Sequence, residues 1–261
     1  MKKLATLLAC LVLVLGLFVV KAHAVGGDPY SSWVEAQTNY DADSGETYAY
    51  ATDGDSSYTA YGEAMVSYQD LGARSYIGLA GDQGGGSYGR AYSSVIQQFQ
   101  VTAAGAASIN FGWDGYLGIY GTQPSWGVYE VYYSLSAVED WGYDSFGYGD
   151  GIWSSLDYLN VSSSDSLDFI FSEGDIGSTF SVSYNLETVA SVHYLGFPGG
   201  DGSLTLVSSF MDTGPTSFAI TGITGGLEAL GGPQVPLPGA FLLLGSGLLG
   251  LIGFARKRRM K

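Results

Sequence analysis

Phe180-Ser181-Val182-Ser183-Tyr184-Asn185-Leu186 decides the fold of this chain. A large apolar side chain stands at every second position, with a small polar one between. That period of two is the signature of a strand with one face in a core and the other in water. A helix would scatter the same four apolar residues around its circumference. Working outward, Ile109-Asn110-Phe111-Gly112-Trp113 and Leu204-Thr205-Leu206 alternate in the same way, and Tyr92 to Val101 and Val128 to Val138 read as longer strands. Gly- and Asp-rich breaks such as Asp53-Gly54, Asp114-Gly115 and Gly199-Gly200-Asp201-Gly202 recur roughly every 8 to 15 residues. Forty glycines fit a fold with many tight connections. Residues 25–224 are therefore predicted to form an all-β, antiparallel, jelly-roll-like sandwich. No long helix is expected outside the two apolar ends.

Charge divides the chain into three. All 25 acidic residues lie between Asp28 and Glu228, and only Arg74 and Arg90 stand among them, which leaves the middle at −23. The other basic residues are Lys2, Lys3 and Lys21 at the front and Arg256, Lys257, Arg258, Arg259 and Lys261 at the back. Such an acidic middle has no basic footprint for phosphates, which excludes nucleic acid as a partner.

At the front, Lys2 and Lys3 precede an apolar run from Leu4 to Val20, and Ala22-His23-Ala24 offers small residues where a signal peptidase reads. Residues 1–24 are read as a cleaved signal peptide. An uncleaved anchor is the alternative. Leu7-Leu8-Ala9-Cys10 imitates a lipoprotein box, but it falls too early in the apolar run. Cys10 is the sole cysteine, so cleavage leaves a chain without thiols or disulfides.

At the back, a Gly/Pro-rich linker (225–238) ends in Val235-Pro236-Leu237-Pro238. Residues 239–255 are uncharged and span about 25 Å as a helix. They are read as a single transmembrane helix that holds the precursor in the membrane, with the basic tail 256–261 retained on the cytoplasmic side. A plain stop-transfer anchor needs no Pro-Leu-Pro. Two prolines one residue apart force an extended backbone that a processing enzyme can grip.

This tail resembles the PEP-CTERM sorting domain of Gram-negative bacteria, in a VPLP form. Val235, Pro236, Leu237 and Pro238, the Gly245-Ser246-Gly247-Leu248-Leu249-Gly250 run and Arg256-Lys257-Arg258-Arg259 carry the likeness. It departs from the common pattern at Leu237, where the family usually has Glu. A sortase signal is the rival, but its Thr-Gly is missing after Leu237-Pro238. The resemblance implies two enzymatic partners, a signal peptidase and an exosortase-type membrane transpeptidase. It also implies an inner-membrane precursor later placed at the cell surface or in the matrix, and an association with exopolysaccharide and biofilm. Val101-Thr102-Ala103-Ala104-Gly105 through Trp113-Asp114-Gly115, and Thr216 through Gly226, look like other exported domains of this group, which are often jelly rolls.

Few residues in the middle invite chemistry. Gly85-Gly86-Ser87-Tyr88-Gly89 matches G-x-S-x-G, but a strand-like segment follows where a nucleophile elbow needs a helix, so a glycine hairpin loop is expected. His193 is the one histidine left after cleavage, too few for a catalytic zinc site. Asp41-Ala42-Asp43-Ser44-Gly45 and Asp53-Gly54-Asp55 begin like calcium loops, but Thr52 stands at the twelfth position from Asp41. Gly199-Gly200-Asp201-Gly202 opens a calcium nonapeptide that Leu204 breaks. These are expected to be Asx-type turns, with weak Ca2+ binding by the acidic surface as the remaining option and no other cofactor. Carboxylate pairs such as Glu139-Asp140 and Glu173/Asp175 arise readily among so many acids. No catalytic residue is therefore assigned.

Residues 126–153 are dense in aromatics, and Trp126, Trp141 and Trp153 are the candidate glycan contacts, since flat rings pack on sugar rings while carboxylates accept from hydroxyls. The reading that results is a non-enzymatic, exported surface or matrix protein. The alternative is a carbohydrate-binding module with the same trafficking, and a glycan-active enzyme stands third.

Overall fold

A computed structural model describes residues 30–54, 58–67, 70–80, 86–197, 199, 202–210 and 218–231. In chain order these form β1 (Tyr30–Thr38), β2 (Ala42–Gly45), β3 (Tyr48–Gly54), β4 (Tyr58–Ser67), β5 (Asp70–Ala80), β6 (Ser87–Val101), β7 (Gly105–Gly121), β8 (Trp126–Glu139), β9 (Ser145–Trp153) and β10 (Asp157–Phe171). A single 3-10 turn, η1 (Glu173–Asp175), follows, and then β11 (Thr179–Gly196), β12 (Ser203–Ser209), β13 (Phe218–Thr224) and β14 (Leu227–Ala229). The segments read as signal peptide (1–24), transmembrane helix (239–255) and basic tail (256–261), and the motif Val235-Pro236-Leu237-Pro238, lie outside the described residues. Among the described residues no helix is long and apolar enough to cross a membrane.

Every pairing is antiparallel, and the strands make two seven-stranded sheets. Sheet A runs β2-β1-β6-β11-β8-β9, with β14 added beside β6. Sheet B runs β10-β7-β12-β5-β4-β3, with β13 continuing the β12 lane between β7 and β5. The sandwich expected from the alternation is the one observed. Phe180, Val182, Tyr184 and Leu186 of β11 all face the core, as do Ile109, Phe111 and Trp113 of β7.

The filling of the sandwich is uneven. At one corner the inner residues of β3, β4 and β5 are Ala49, Ala51, Ala60, Gly62, Ala64 and Ala73. Small side chains let the two backbones nearly touch there: a methyl group at Gly62 would collide with the Arg90 carbonyl of β6. At the other end the core is aromatic. Phe111 packs on Tyr184 (5.5 Å) and Phe218 (5.7 Å), and Phe169 on Phe180 (5.1 Å). Each such ring contributes about 1.5–3 kcal/mol by leaving water.

Two expected breaks are not breaks. Asp114-Gly115 sits in the middle of the continuous strand β7, where Gly115 makes room for the Phe210 ring. Ser87-Tyr88-Gly89 is the start of β6 rather than part of a hairpin loop. The segment read as a linker begins inside the sheet, because Leu227–Ala229 pairs with Phe99–Val101 of β6.

The free sheet edges are guarded by acids. β2 is four residues long, and its flanking and internal carboxylates reach across to β3, the edge of sheet B: Asp43 accepts from the Tyr50 N–H and Asp41 from the Thr52 N–H, both at 3.0 Å. On β10, the other edge, Asp157 and Asp165 accept from the next residue's N–H at 2.8 Å, and Asp144 accepts from the Asp168 N–H at 3.0 Å. Exposed edge donors that would otherwise template pairing with another chain are thereby capped within the molecule.

Candidate functional site

The outer face of sheet A carries the most organised polar surface among the described residues. In β8, Tyr129, Val131, Tyr133 and Leu135 are buried, so Glu130, Tyr132, Ser134 and Ser136 point outward. Register puts Ser134 beside Glu187 of β11, which pairs on its other side with Tyr92 of β6, and Ser136 beside Asn185, which pairs with Ser94. Tyr92, Ser134, Leu135, Ser136, Asn185 and Glu187 line a shallow pocket of about 220 Å³.

Asn185 organises its floor. Its Oδ1 accepts from the Tyr92 hydroxyl (2.8 Å) and from Ser94 Oγ (2.7 Å), and its Nδ2 faces Ser136 Oγ at 3.5 Å. Glu187 is held by Arg90, whose Nε donates to it at 2.5 Å, and Arg90 Nη1 reaches Glu35 at 3.5 Å. Burial lowers the Arg90 pKa, but the hydrogen bond and charge of Glu187 outweigh it and leave the net shift upward. Tyr132 is held above the ordinary phenol value by burial first, and then by Glu187 and Glu130. The result is a fixed set of hydroxyl, amide and carboxylate groups whose rotamers are settled before any ligand arrives.

Aromatic rings lie toward one end of this face. Trp153 stands opposite Glu130 and leans over Gly151 beside Tyr132. Trp126 lies over Gly196 and 5.8 Å from the Tyr194 ring. Both indoles are 57% exposed. Four residues of strand, about 13 Å, separate their positions. The glycines beneath them let the rings lie down, because a methyl at Gly151 would sit 2.7 Å from Trp153 and one at Gly196 2.5 Å from Trp126.

Trp141 does not join them. It sits past the far end of β8, roughly 40 Å from Trp126 along the strand. There it packs on Phe180 (5.0 Å) and Phe171 (6.2 Å), as part of the core's margin.

The other sequence candidates resolve as structure. Ser87 is buried in β6, in strand geometry without an elbow. His193 occupies the β11 irregularity between Val192 and Tyr194. Its side chain is 61% exposed, and Nε2 lies 3.8 Å from Glu130, which also accepts from Ser191 Oγ at 3.1 Å. Asp41 and Asp43 are the edge caps described above, and Asp53 accepts from the Tyr58 hydroxyl at 2.9 Å. Asp55, Gly200 and Asp201 lie outside the described residues. Among the described residues no group of three or more His, Cys, Asp or Glu is placed to hold a metal ion. Glu139 is buried and accepts from three loop N–H groups, those of Trp141 (2.6 Å), Tyr143 and Asp144 (2.9 Å). Asp140 accepts from the Ser181 N–H at 2.9 Å. Asp175 caps η1, and bonds from Ser172 Oγ and N–H hold its pKa below the ordinary value. The pocket residues Tyr92, Ser134, Ser136, Asn185 and Glu187 were not anticipated. Each shows outward parity in its own strand, but nothing in the sequence says that these three strands are neighbours.

The PEP-CTERM protein-sorting motif matches residues 234–259. The chain carries this sorting signal. That signal belongs to exported proteins processed at a membrane, and it makes an exosortase-type enzyme a partner. No curated protein sequence matches the chain. Among solved structures, TmCBM61 in complex with β-1,4-galactotriose is 10% identical over 56% of this chain and 68% of that one, with a TM-score of 0.17. The enzymatically active domain of Bacteriophage CBA120 tailspike protein 4 is 11% identical over 68% of this chain and 19% of that one, with a TM-score of 0.13. At these scores neither likeness bears on fold or function.

Proposed function

We propose that this is a non-enzymatic surface or matrix protein, exported, released at its tail by an exosortase-type transpeptidase, and deployed among exopolysaccharide. The observation that carries the reading is the sorting motif at 234–259. Val235-Pro236-Leu237-Pro238 presents an extended backbone, the helix 239–255 holds it at the membrane, and Arg256, Lys257, Arg258 and Arg259 keep the helix from slipping outward. The mature protein then ends before Gly239. Intact-mass analysis of the protein from cells that make an exosortase tests this. Replacing Pro236 and Pro238 by alanine should make the full-length, membrane-held form accumulate. A wild-type mature protein that still ends at Lys261 would sink the sorting reading.

A carbohydrate-binding role under the same trafficking is favoured by the outer face of sheet A. Its preorganised Asn185, Glu187 and Ser134 groups match sugar hydroxyls, and Trp153 and Trp126 offer rings for stacking. On a glycan array the protein should retain neutral polysaccharides. Trp126→Ala with Trp153→Ala should weaken that retention while the fold stays intact. Catalysis is not part of the proposal: Ser87 is locked in a strand, and Glu187 and Glu139 are committed to Arg90 and to backbone N–H groups.

A further inference from the structure

The opposite outer face, on sheet B, carries a band of tyrosines that crosses the strands. Register puts Tyr158 (β10) beside Gly118 (β7), Gly118 beside Val207 (β12), Val207 beside Tyr76 (β5), and Tyr76 beside Tyr61 (β4). Tyr120 stands two residues along β7, and Tyr50 of β3 faces Glu63, two residues from Tyr61. Six lanes at the usual spacing make the band about 24 Å long.

Three features say what it would hold. The first is the placing of the rings. Tyr61 and Tyr76 stack with centroids 4.9 Å apart, and Tyr50 adjoins Tyr61 at 6.0 Å. Tyr76 leans over Gly78 and Tyr120 over Gly118, where a side chain on either glycine would collide with the ring. The glycines let these two rings lie down on the sheet. The second is exposure: Tyr158, Tyr120 and Tyr50 are all in solvent, whereas Val207 lies buried beneath. The third is charge. On a middle segment of −23, the middle of this band carries one cation and one anion, Arg74 and Glu63, directly opposite each other in register, and at its two ends Asp43 and Asp157 accept from the Tyr50 and Tyr158 N–H groups. Arg74 lies 5.4 Å over the Tyr61 ring, and Glu63 accepts from the Tyr48 hydroxyl at 3.1 Å. A band of phenol rings and hydroxyls with one paired cation and acids only as further charge matches a neutral polymer with apolar C–H faces and many hydroxyls. An anionic chain would meet the repulsion of the whole surface.

We propose that the sheet B band is a second polysaccharide-binding face, for a neutral chain laid across the strands, so that one protein bridges two chains. The inference rests on the carbohydrate reading of sheet A for its partner class, but on a separate set of residues. Because the two faces lie on opposite sides of one sandwich, a single chain segment cannot occupy both.

The probes are the neutral exopolysaccharide fraction from the producing cells and a panel of soluble neutral glucans and galactans. Wild-type protein should bind at least one probe and turn its solution turbid by cross-linking. Tyr50→Ala/Tyr120→Ala/Tyr158→Ala alters only exposed rings and should keep the melting temperature. It should lose turbidity while still binding through sheet A. Trp126→Ala/Trp153→Ala should also lose turbidity while still binding through sheet B. Combining the two sets should weaken binding by at least about tenfold. A tyrosine variant as turbid as wild type overturns the second face and leaves the sheet A reading standing. A tryptophan variant that binds nothing, with the tyrosines intact, also overturns the second face. Wild-type protein that binds no probe overturns both readings. A concentration-dependent dimer abolished by the tyrosine changes would assign the band to a second copy of this chain instead.

Discussion

Removing the Glu139 carboxylate should cost more than any other single acidic side chain described above. Glu139 is the last residue of β8, 3% exposed, and its two oxygens gather the N–H groups of Trp141, Tyr143 and Asp144. Those bonds fold the β8–β9 connection back and seat Trp141 on Phe180. Leaving three buried donors bare would cost about 1–3 kcal/mol each. The far side of this loop is exposed, so water can reach part of the set, which brings the expected cost of Glu139→Ala to about 2–4 kcal/mol. For a domain of this size that is a fall in melting temperature of about 4–16 °C. Glu139→Gln should cost less than the alanine change, because its amide oxygen can keep the Tyr143 and Asp144 N–H groups while its NH2 opposes only the Trp141 N–H. Thermal unfolding by circular dichroism gives the total, and amide exchange at Trp141, Tyr143 and Asp144 shows where it arises. A loss under about 0.5 kcal/mol in Glu139→Ala, within the range of ordinary surface changes, would refute the claim that this carboxylate holds the loop.

Three further outcomes follow from the same geometry. Gly62→Ala should destabilise by about 1–3 kcal/mol, read as a lower urea midpoint, because the added methyl meets the Arg90 carbonyl where the sheets nearly touch. Raising the pH above 10 should unfold the protein progressively. Burial holds Tyr61, Tyr88 and Tyr133 above the ordinary value of 10.0, so the stability they lend is complete below that pH and is lost as pH rises through the folded values. Absorbance of tyrosinate should lag the unfolded reference and then rise together with unfolding. Asp41→Ala with Asp43→Ala should barely move the melting temperature but should speed aggregation measured by light scattering, because the Tyr50 and Thr52 N–H groups of edge strand β3 lose their caps.

The core of sheet A was legible because its strands follow the ordinary rule, with large apolar residues inside and polar ones outside, as Phe180 to Leu186 shows. Strands β3 and β4 invert that rule. Their buried positions are Ala49, Ala51, Ala60, Gly62 and Ala64 with Val66 at the end of β4, and their outward positions include Tyr48, Tyr50 and Tyr61. A reading by hydrophobicity has no ground for choosing the alanine face as the inside, since the reason is the tight approach of another strand 30 residues away. Asp114-Gly115 misled for a related cause: glycine there serves the Phe210 ring rather than a turn. The pocket on sheet A was illegible because its residues come from positions 92, 134–136 and 185–187. Parity within a strand is local, but lane order is decided by the whole fold. Aromatic density in one stretch grouped Trp126, Trp141 and Trp153, but density alone does not separate rim from core: Trp126 and Trp153 are exposed and Trp141 packs on Phe180.

The last strand has a mechanical meaning. The chain leaves the sandwich through β14, whose three residues pair with the end of β6, and the sorting signal follows within a few residues. The Leu230 N–H bonds Gln98 O at 2.8 Å, Gln97 Nε2 donates to the Leu230 carbonyl, and the Thr102 N–H bonds Gly226 O at 2.8 Å. Tension applied from the tail side meets the Leu230 contacts first and then the β14 pairs beside β6. When the tail is tethered and the surroundings drag on the domain, β14 should peel before β6 or β11 feels the pull, releasing about 3.3 Å of slack for each residue freed. The main sandwich would be spared by a short sacrificial strand that re-forms when the load falls.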